Sequence, residues 1–164
     1  MNIRLAQNKD IDQLCQMRWD FTIEHNEEVA HSHLENFQIE CRQFLEQAIE
    51  SNSWFIWIAE INEQVVSHMY MELIHKVPRP GRITHPFVYM TNVYTIPSQR
   101  NKGIGSQLLT VVNKWVESNK YEFVIVWPSN ESIDFYERKG YVECKEALTF
   151  TPAKKSYPTV EREQ

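Results

Sequence analysis

Two glycines one residue apart lie beside two basic residues in the segment 100–106, between an apolar run and an amphipathic one. A diphosphate is held best by converging backbone N–H groups with no side chain in the way. The start of a helix supplies such groups and the positive end of its dipole. Gly103 and Gly105 remove Cβ atoms, and Arg100 and Lys102 add positive charge. The segment therefore predicts a phosphate-binding turn. The competing interpretation is a strand-to-helix bend in which glycine only eases the change of direction.

This turn differs from two familiar nucleotide-binding loops. The pattern GxxxxGK followed by Ser or Thr is absent, and so are the third glycine and the downstream acid of the dinucleotide fingerprint. The chain has only four glycines in 164 residues, where average usage would give about eleven. Two of the four within three positions favour a ligand-binding role over a simple bend.

Alternating and helical patterns of apolar residues indicate the elements that must position this turn. In chain order we expect a strand at 2–6, a helix capped by Asn8 or Asp10, a helix at 34–49, a hairpin of strands 54–59 and 65–74, a strand at 87–96, a helix from 104, a strand at 123–127, a helix at 131–139 and a strand at 141–150. The proline-containing segment 76–86 predicts an irregular connection. The pattern is typical of one mixed α/β domain over 1–150 with a polar tail over 151–164.

Composition excludes several classes of protein. With 42% hydrophobic residues and a net charge of −5, the chain is neither disordered nor a general nucleic-acid binder. No apolar run approaches the roughly 20 residues of a membrane span, and the first residues lack a signal-peptide core. Three scattered cysteines favour a reducing compartment. We therefore expect a soluble cytoplasmic protein that binds neither nucleic acid nor membrane.

With these residues the sequence resembles the GNAT superfamily of N-acetyltransferases. The acetyl-CoA-binding motif of that family, Gln/Arg-x-x-Gly-x-Gly/Ala, matches 100–105 at every defined position. The segment 92–97 is similar to the family's fourth strand with its usual proline. The segment 135–141 is similar to its Tyr-Glu-Lys/Arg-x-Gly-Phe segment. Two motifs in the right order and at the right spacing are more specific than either alone.

The resemblance implies an α/β (α+β) fold with a mixed, mostly antiparallel sheet of six or seven strands. Four helices flank this sheet, which splays between its fourth and fifth strands. The resemblance also implies that acetyl-CoA is the acyl-donor substrate. Homodimers are common in the family, so a homodimer is compatible with the resemblance.

By the same resemblance, the backbone of one strand pairs with the pantetheine arm and the turn binds the pyrophosphate. Many members carry an asparagine seven residues before the family's tyrosine, and this chain has Ser129 there. The expected cofactor-binding residues are Val93, Tyr94, Thr95, Arg100, Asn101, Lys102, Gly103, Ile104, Gly105, Ser106 and Ser129.

Tyr136 matches the family's general acid, whose phenol protonates or hydrogen-bonds the departing thiolate. The competing interpretation is an aromatic side chain that packs on the sheet. A general base is harder to find: Glu72 or a chain of waters are the candidates. His68 and His75 in the same stretch are more typical of surface or satisfied core histidines.

Two further clusters carry weaker signals. His31 and His33 stand without a nearby acid or thiol, so they predict no metal site. Glu24, Glu27 and Glu28 near the end of the first helix are typical of a solvated face. The alternative is that they attract a cationic amine, because the segment between the first two helices often lines the acceptor site in the family.

The resemblance thus implies an N-acetyltransferase that moves an acetyl group from acetyl-CoA to an amine by direct attack in a ternary complex. The acceptor is a small-molecule or peptide amine. The alternative is a non-catalytic acyl-CoA-binding or regulatory domain on the same fold, because no unambiguous base stands out in the sequence.

Overall fold

The computed structural model describes residues 1–26, 34–150 and 152, and its elements follow the predicted order. They are β1 (Asn2–Leu5), α1 (Ile11–His25), α2 (Leu34–Glu50), β2 (Trp54–Ile61), β3 (Gln64–Ile74), β4 (Phe87–Thr95), α3 (Ile104–Ser118), β5 (Val124–Val126) and α4 (Ile133–Glu137). Short 3₁₀ turns at Asn8–Asp10, Pro97–Gln99 and Asn130–Ser132 precede α1, α3 and α4.

The strands form one mixed sheet in the order β1-β2-β3-β4-β5. Strands β1 to β4 pair with one another in antiparallel fashion, and β5 pairs with β4 in parallel. Asn62 and Glu63 join β2 to β3 with φ angles of 49° and 65°, as the tightest hairpin turns require. The predicted hairpin and the predicted fold class are confirmed.

The sheet has five strands in the described residues, and the expectation of six or seven is wrong in number. The segment 141–150 forms no strand there. Its apolar side chains at Val142, Leu148 and Phe150 are exposed, so no buried face stabilises an extended conformation. The neighbouring edge is β5, whose three residues offer few backbone partners. Of the predicted tail, only Pro152 lies within the described residues, and the domain limits at 150 stay a prediction.

Helices cover both faces of the sheet. On one face, α1 and α2 pack against β2, β3 and β4 around Leu14, Leu45 and Ile58. On the other, α3 and α4 pack around Met69, Leu108 and other buried side chains. Alternate residues of β3 point to opposite faces, so Tyr70 belongs to the first cluster and Met69 to the second. The central strands are therefore buried on both sides.

The sheet opens between β4 and β5. Pairing is limited to three positions and ends at Met90 opposite Val126. Beyond that point β4 carries an extra residue relative to β3, because His68 faces Tyr94 whereas Tyr70 faces Thr91. Such a bulge bends its strand away from the regular ladder. The sheet therefore splays between its fourth and fifth strands, as the resemblance implied.

Candidate active site

A cavity of about 800 Å³ lies at the opening of the sheet. It extends from the β4–β5 gap, with α4 on one side, towards α1, α2 and β2. A volume of this size is typical of small-molecule sites. Nine of its lining side chains are aromatic: Phe21, Phe37, Phe44, Trp54, Tyr70, Tyr89, Trp127, Phe135 and Tyr136.

The bulge at Asn92 forms the wall of the cavity at the gap. Asn92 has a φ of 47°, in the left-handed region. Its carbonyl oxygen lies 2.8 Å from Nδ1 of His68. Burial lowers the pKa of His68 to about 4, so the ring is neutral at physiological pH and Nδ1–H donates to the carbonyl. The fully buried His68 therefore holds the bulge and does not act as a surface base.

The next residues of β4 run along the open edge, where the resemblance places the pantetheine arm. Val93 lines the cavity. The carbonyl of Tyr94 accepts a hydrogen bond from Ser67 Oγ at 3.0 Å, and that of Thr95 accepts one from Arg100 Nε at 2.9 Å. These contacts fix the direction of the strand beyond the last residue paired with β5.

The predicted phosphate-binding turn forms the start of α3. Gly103 is the N-cap residue, with φ 77° and ψ 4°, a left-handed conformation that disfavours any side chain. The first bond of the helix runs from the N–H of Gln107 to the carbonyl of Gly103 at 3.0 Å. The N–H groups of residues 104–106 precede it and have no acceptor within the helix. These N–H groups are where the sequence predicts that an anion binds, and the binding of an anion there stays a prediction.

Arg100 is placed differently from a simple phosphate ligand. Its Nη1 and Nη2 atoms lie 2.5 and 2.7 Å from the two carboxylate oxygens of Glu24, and its Nε binds Thr95. The guanidinium therefore ties the turn to α1 and β4, and its charge is balanced within the protein. Lys102 instead reaches back to the carbonyl of Ser98 at 2.8 Å and has no carboxylate within 4.0 Å in the described ranges. Glu27, Glu28, His31 and His33 lie outside the described residues.

Tyr136 on α4 lines the same cavity. Its side chain is 5% exposed, and burial raises its pKa to about 12. The phenol therefore keeps its proton at neutral pH and acts as a donor. Its hydroxyl makes no hydrogen bond within the part of the chain that the structure describes. Ser129, at the start of the turn before α4, also lines the cavity and donates to Ser132 Oγ at 3.2 Å.

The three predicted pieces of the site meet at Gly105. A Cβ atom added there would lie 3.5 Å from Thr95 Oγ1 and 3.9 Å from the Phe135 ring. The turn, the open edge of β4 and the helix that carries Tyr136 are therefore adjacent around the gap.

The cavity also contains residues that the sequence analysis did not single out. Arg18 on α1, Tyr70 on β3 and Glu40 on α2 all line it. The sequence carried one signal for Arg18, since this charged residue occupies the apolar stripe of α1. Glu72, the candidate base, lies opposite Trp54 and Tyr89 in the sheet and is not among the lining residues.

The described residues contain neither a helix suited to span a membrane nor a cluster suited to bind a metal. No helix within 1–26 or 34–150 combines the length and apolarity needed to cross a bilayer. No group of three or more His, Cys, Asp or Glu side chains there is arranged to hold a metal ion.

Comparisons with known proteins agree with this architecture. A family model described as an acetyltransferase (GNAT) domain matches residues 2–144 and confirms the resemblance seen in the sequence. No curated protein matches the chain.

Several solved structures share the fold. A predicted acetyltransferase with acetyl-CoA from Clostridium acetobutylicum is 23% identical, covers 92% of this chain and 95% of its own, and has a TM-score of 0.74. A GCN5-related N-acetyltransferase from Ralstonia eutropha JMP134 is 20% identical over 93% and 99%, also with a TM-score of 0.74. A transcriptional regulator from Bacillus halodurans C-125 is 18% identical over 92% and 98%, again with a TM-score of 0.74.

Proposed function

The chain belongs to the GNAT acetyltransferase domain family, and we propose that it transfers the acetyl group of acetyl-CoA to an amine by direct attack in a ternary complex. The observation that carries the proposal is the meeting of turn, strand edge and Tyr136 at the gap in the sheet. A Cβ atom added at Gly105 would contact both Thr95 and Phe135, so the backbone proposed to bind acetyl-CoA adjoins the helix that carries Tyr136.

Acetyl-CoA fits this arrangement through backbone contacts. The N–H groups of residues 104–106 bind its pyrophosphate at the positive end of α3. The edge of β4 at 93–95 pairs with the amides of the pantetheine arm, in the manner of an added strand. Lys102, exposed at the turn, adds a positive charge. The thioester then enters the gap beside Val93 and Tyr136.

The chemistry follows from the protonation states. The amine attacks in its neutral form, and a C–N bond forms at the thioester carbonyl. As the tetrahedral intermediate collapses, the C–S bond breaks and the nitrogen loses its proton to solvent. A thiol has a pKa of about 8.5, far below the value of about 12 for Tyr136. The phenol therefore stabilises the departing thiolate by donating a hydrogen bond and retains its own proton.

The test is release of coenzyme A thiol with a panel of amines, using Tyr136→Phe as the variant. Only a hydroxyl without a partner in the described residues is lost, so we expect a stable protein with kcat reduced about 100-fold and an unchanged acetyl-CoA affinity by calorimetry. Tyr141→Phe is the matched control, because the Tyr141 hydroxyl binds Asn113 at 3.0 Å outside the cavity. An unchanged rate in Tyr136→Phe contradicts the role of this phenol.

The same assay separates the enzyme from a non-catalytic acyl-CoA-binding domain. Such a domain binds acetyl-CoA as tightly as an enzyme would, but it releases no coenzyme A thiol with any amine of the panel.

A further inference from the structure

Arg18 differs from the other arginines that the structure describes. Four of the seven arginines in the described ranges have a carboxylate within 4.0 Å, namely Arg4, Arg42, Arg82 and Arg100. Arg79 and Arg138 are exposed to water. Arg18 is partly buried at the cavity and has no carboxylate within 4.0 Å among the described residues. A guanidinium held out of water without a counterion is costly, so a bound anion would stabilise it.

The guanidinium of Arg18 is already oriented. Its Nη1 donates to Asn92 Oδ1 at 3.4 Å, and its Cζ lies 5.4 Å from the centre of the Phe21 ring. These contacts occupy one edge and one face of the guanidinium, so its other N–H groups can still bind a ligand. A planar guanidinium prepared in this way suits a carboxylate, which it binds through two parallel hydrogen bonds.

Tyr70, which also lines the cavity, offers a second hydrogen-bond donor. The hydroxyl of Tyr70 is buried without a hydrogen bond in the described residues, and the side chain is 4% exposed. Burial raises the pKa of Tyr70, whereas the charge of Arg18 and the nearby side chain of Asn92 act in the opposite direction. The phenol therefore keeps its proton and can donate a hydrogen bond, and its side chain lines the same cavity as Arg18. A buried hydroxyl without an acceptor is itself unfavourable, and a ligand carboxylate would satisfy it.

Aromatic side chains dominate the wall of the cavity next to α2 and β2. Phe44 and Trp54 pack edge to face with centroids 5.1 Å apart, and Phe37 lies nearby on α2. Glu40 is the acidic residue among the lining side chains, but it is exposed on α2 and lies more than 4.0 Å from Arg18. A ligand with several positive charges would meet the charge of Arg18, whereas an aromatic body fits these walls.

Resting on the proposed function, we infer that the acceptor is a primary amine with an aromatic body and a carboxylate close to the amine, as in an aromatic α-amino acid. Arg18 and Tyr70 bind the carboxylate. Asn92, which Arg18 contacts, lies in the bulge at the gap where the acetyl group enters. A carboxylate held there therefore belongs to a carbon at or near the one that carries the amine.

The experiment compares two acceptors that differ only in the carboxylate, L-phenylalanine and phenethylamine. Thiol release is measured for the wild type, for Arg18→Met and for Arg42→Met, and rates are corrected for the fraction of neutral amine. We expect the wild type to prefer phenylalanine in kcat/KM by about 10- to 100-fold, the effect of a hydrogen bond to a charged group. Arg18→Met should abolish or reverse that preference. Arg42→Met, which removes an equal charge paired with Asp12 outside the cavity, should preserve it.

The preference is a ratio within one variant, so partial unfolding of Arg18→Met lowers both rates and leaves the ratio readable. Should the wild type favour phenethylamine, or should Arg18→Met lower both rates equally, the inference is overturned. Tyr70→Phe provides a smaller shift of the ratio in the same direction as Arg18→Met.

A binding measurement separates failure of this inference from failure of the proposed function. N-acetylphenylalanine and N-acetylphenethylamine are titrated by calorimetry into the protein with coenzyme A, which needs no turnover. Tighter binding of the carboxylate-bearing compound, lost in Arg18→Met, supports the site even if no thiol is released. Equal binding of the two compounds, together with turnover of other amines, refutes the inference and leaves the acetyltransferase proposal intact.

Discussion

The turn before α3 and the aromatic cavity meet at the same gap, but they are built in different ways. The turn is continuous in sequence and presents backbone N–H groups. The cavity takes its side chains from α1, α2 and α4, from strands β2 to β5 and from the segment between β5 and α4. Arg18 and Asn92 within it are 74 residues apart. A ligand that is bound by backbone N–H groups is little affected by side-chain substitutions, provided that no added Cβ atom blocks it. A ligand that is bound by side chains is affected by each substitution among them. We therefore expect most substitutions to leave acetyl-CoA binding at the turn intact. Substitutions in the cavity should readily change which amine is bound.

The two arginines beside β4 show the same contrast. Arg100 is paired with Glu24 and contacts the Tyr94 ring at 5.3 Å, so it holds the turn in place. Arg18 is unpaired among the described residues and faces the cavity. One charge serves the fold and the other is available to a ligand.

The substitution with the largest expected effect impairs only the turn before α3, where we propose that acetyl-CoA binds. Gly103→Ala adds a methyl group at the turn where we propose that the pyrophosphate binds. It should weaken acetyl-CoA binding about 100-fold, which corresponds to the loss of one or two charge-assisted hydrogen bonds. Gly81→Ala is the matched control, because Gly81 has a φ of 79° against 77° for Gly103. A Cβ atom at Gly81 would meet nothing within 4 Å, and one at Gly103 would meet only Gln107 Nε2 at 3.9 Å among the described residues. Both variants should lose similar stability in urea unfolding. Equal acetyl-CoA affinities by calorimetry would refute the phosphate-binding turn.

A second prediction concerns His68, which supports the bulge shared by the two regions. Burial lowers its pKa to about 4, so below its ordinary value of about 6.5 the unfolded chain takes up a proton that the folded protein does not. The free energy of unfolding should therefore fall by up to about 1.4 kcal/mol per pH unit between pH 6.5 and 4. His68→Gln should remove this contribution, as measured by urea unfolding at several pH values.

His75→Gln is the control for that measurement, since His75 is exposed. It should keep the pH dependence of the wild type. If His68→Gln also keeps it, the imidazole is not the buried neutral group that holds the bulge.

The smallest expected effect comes from changing Glu24, the partner of Arg100. It tests whether Arg100 acts in the fold and does not bind a ligand. Hydrogen bonds from Arg100 lower the pKa of Glu24, so the pair stabilises the fold above the ordinary carboxyl pKa and loses that contribution as pH falls through the lowered value. Both side chains are about one-third exposed. Glu24→Gln should therefore cost less than about 1 kcal/mol of stability at pH 7.

The same variant leaves the charge of Arg100 without its carboxylate. Acetyl-CoA affinity by calorimetry should rise slightly, by less than about threefold at low salt, and lose that gain in high salt. A large fall in affinity would instead mean that the pair positions the turn for binding.

Much of the fold was predictable because its determinants are local. The helical spacing of apolar residues placed α2 at 34–49, and the polar Asn62-Glu63 pair placed the hairpin. The expected strand at 141–150 was wrong because β-rich composition does not supply a partner strand. Whether such a segment forms a strand depends on the edge beside it, and β5 is short.

The amino-acid sequence by itself determined the order of the elements, the phosphate-binding turn as a prediction and the family that its motifs resemble. Each rests on residues within a few positions of one another, where spacing and backbone preference decide the structure. Only the tertiary structure decided that Glu24 neutralises Arg100, that His68 holds the bulge and that Arg18 faces an aromatic cavity. Those contacts join elements far apart in the chain, and the packing of helices on a splayed sheet determines which charges meet a partner and which remain open to a ligand.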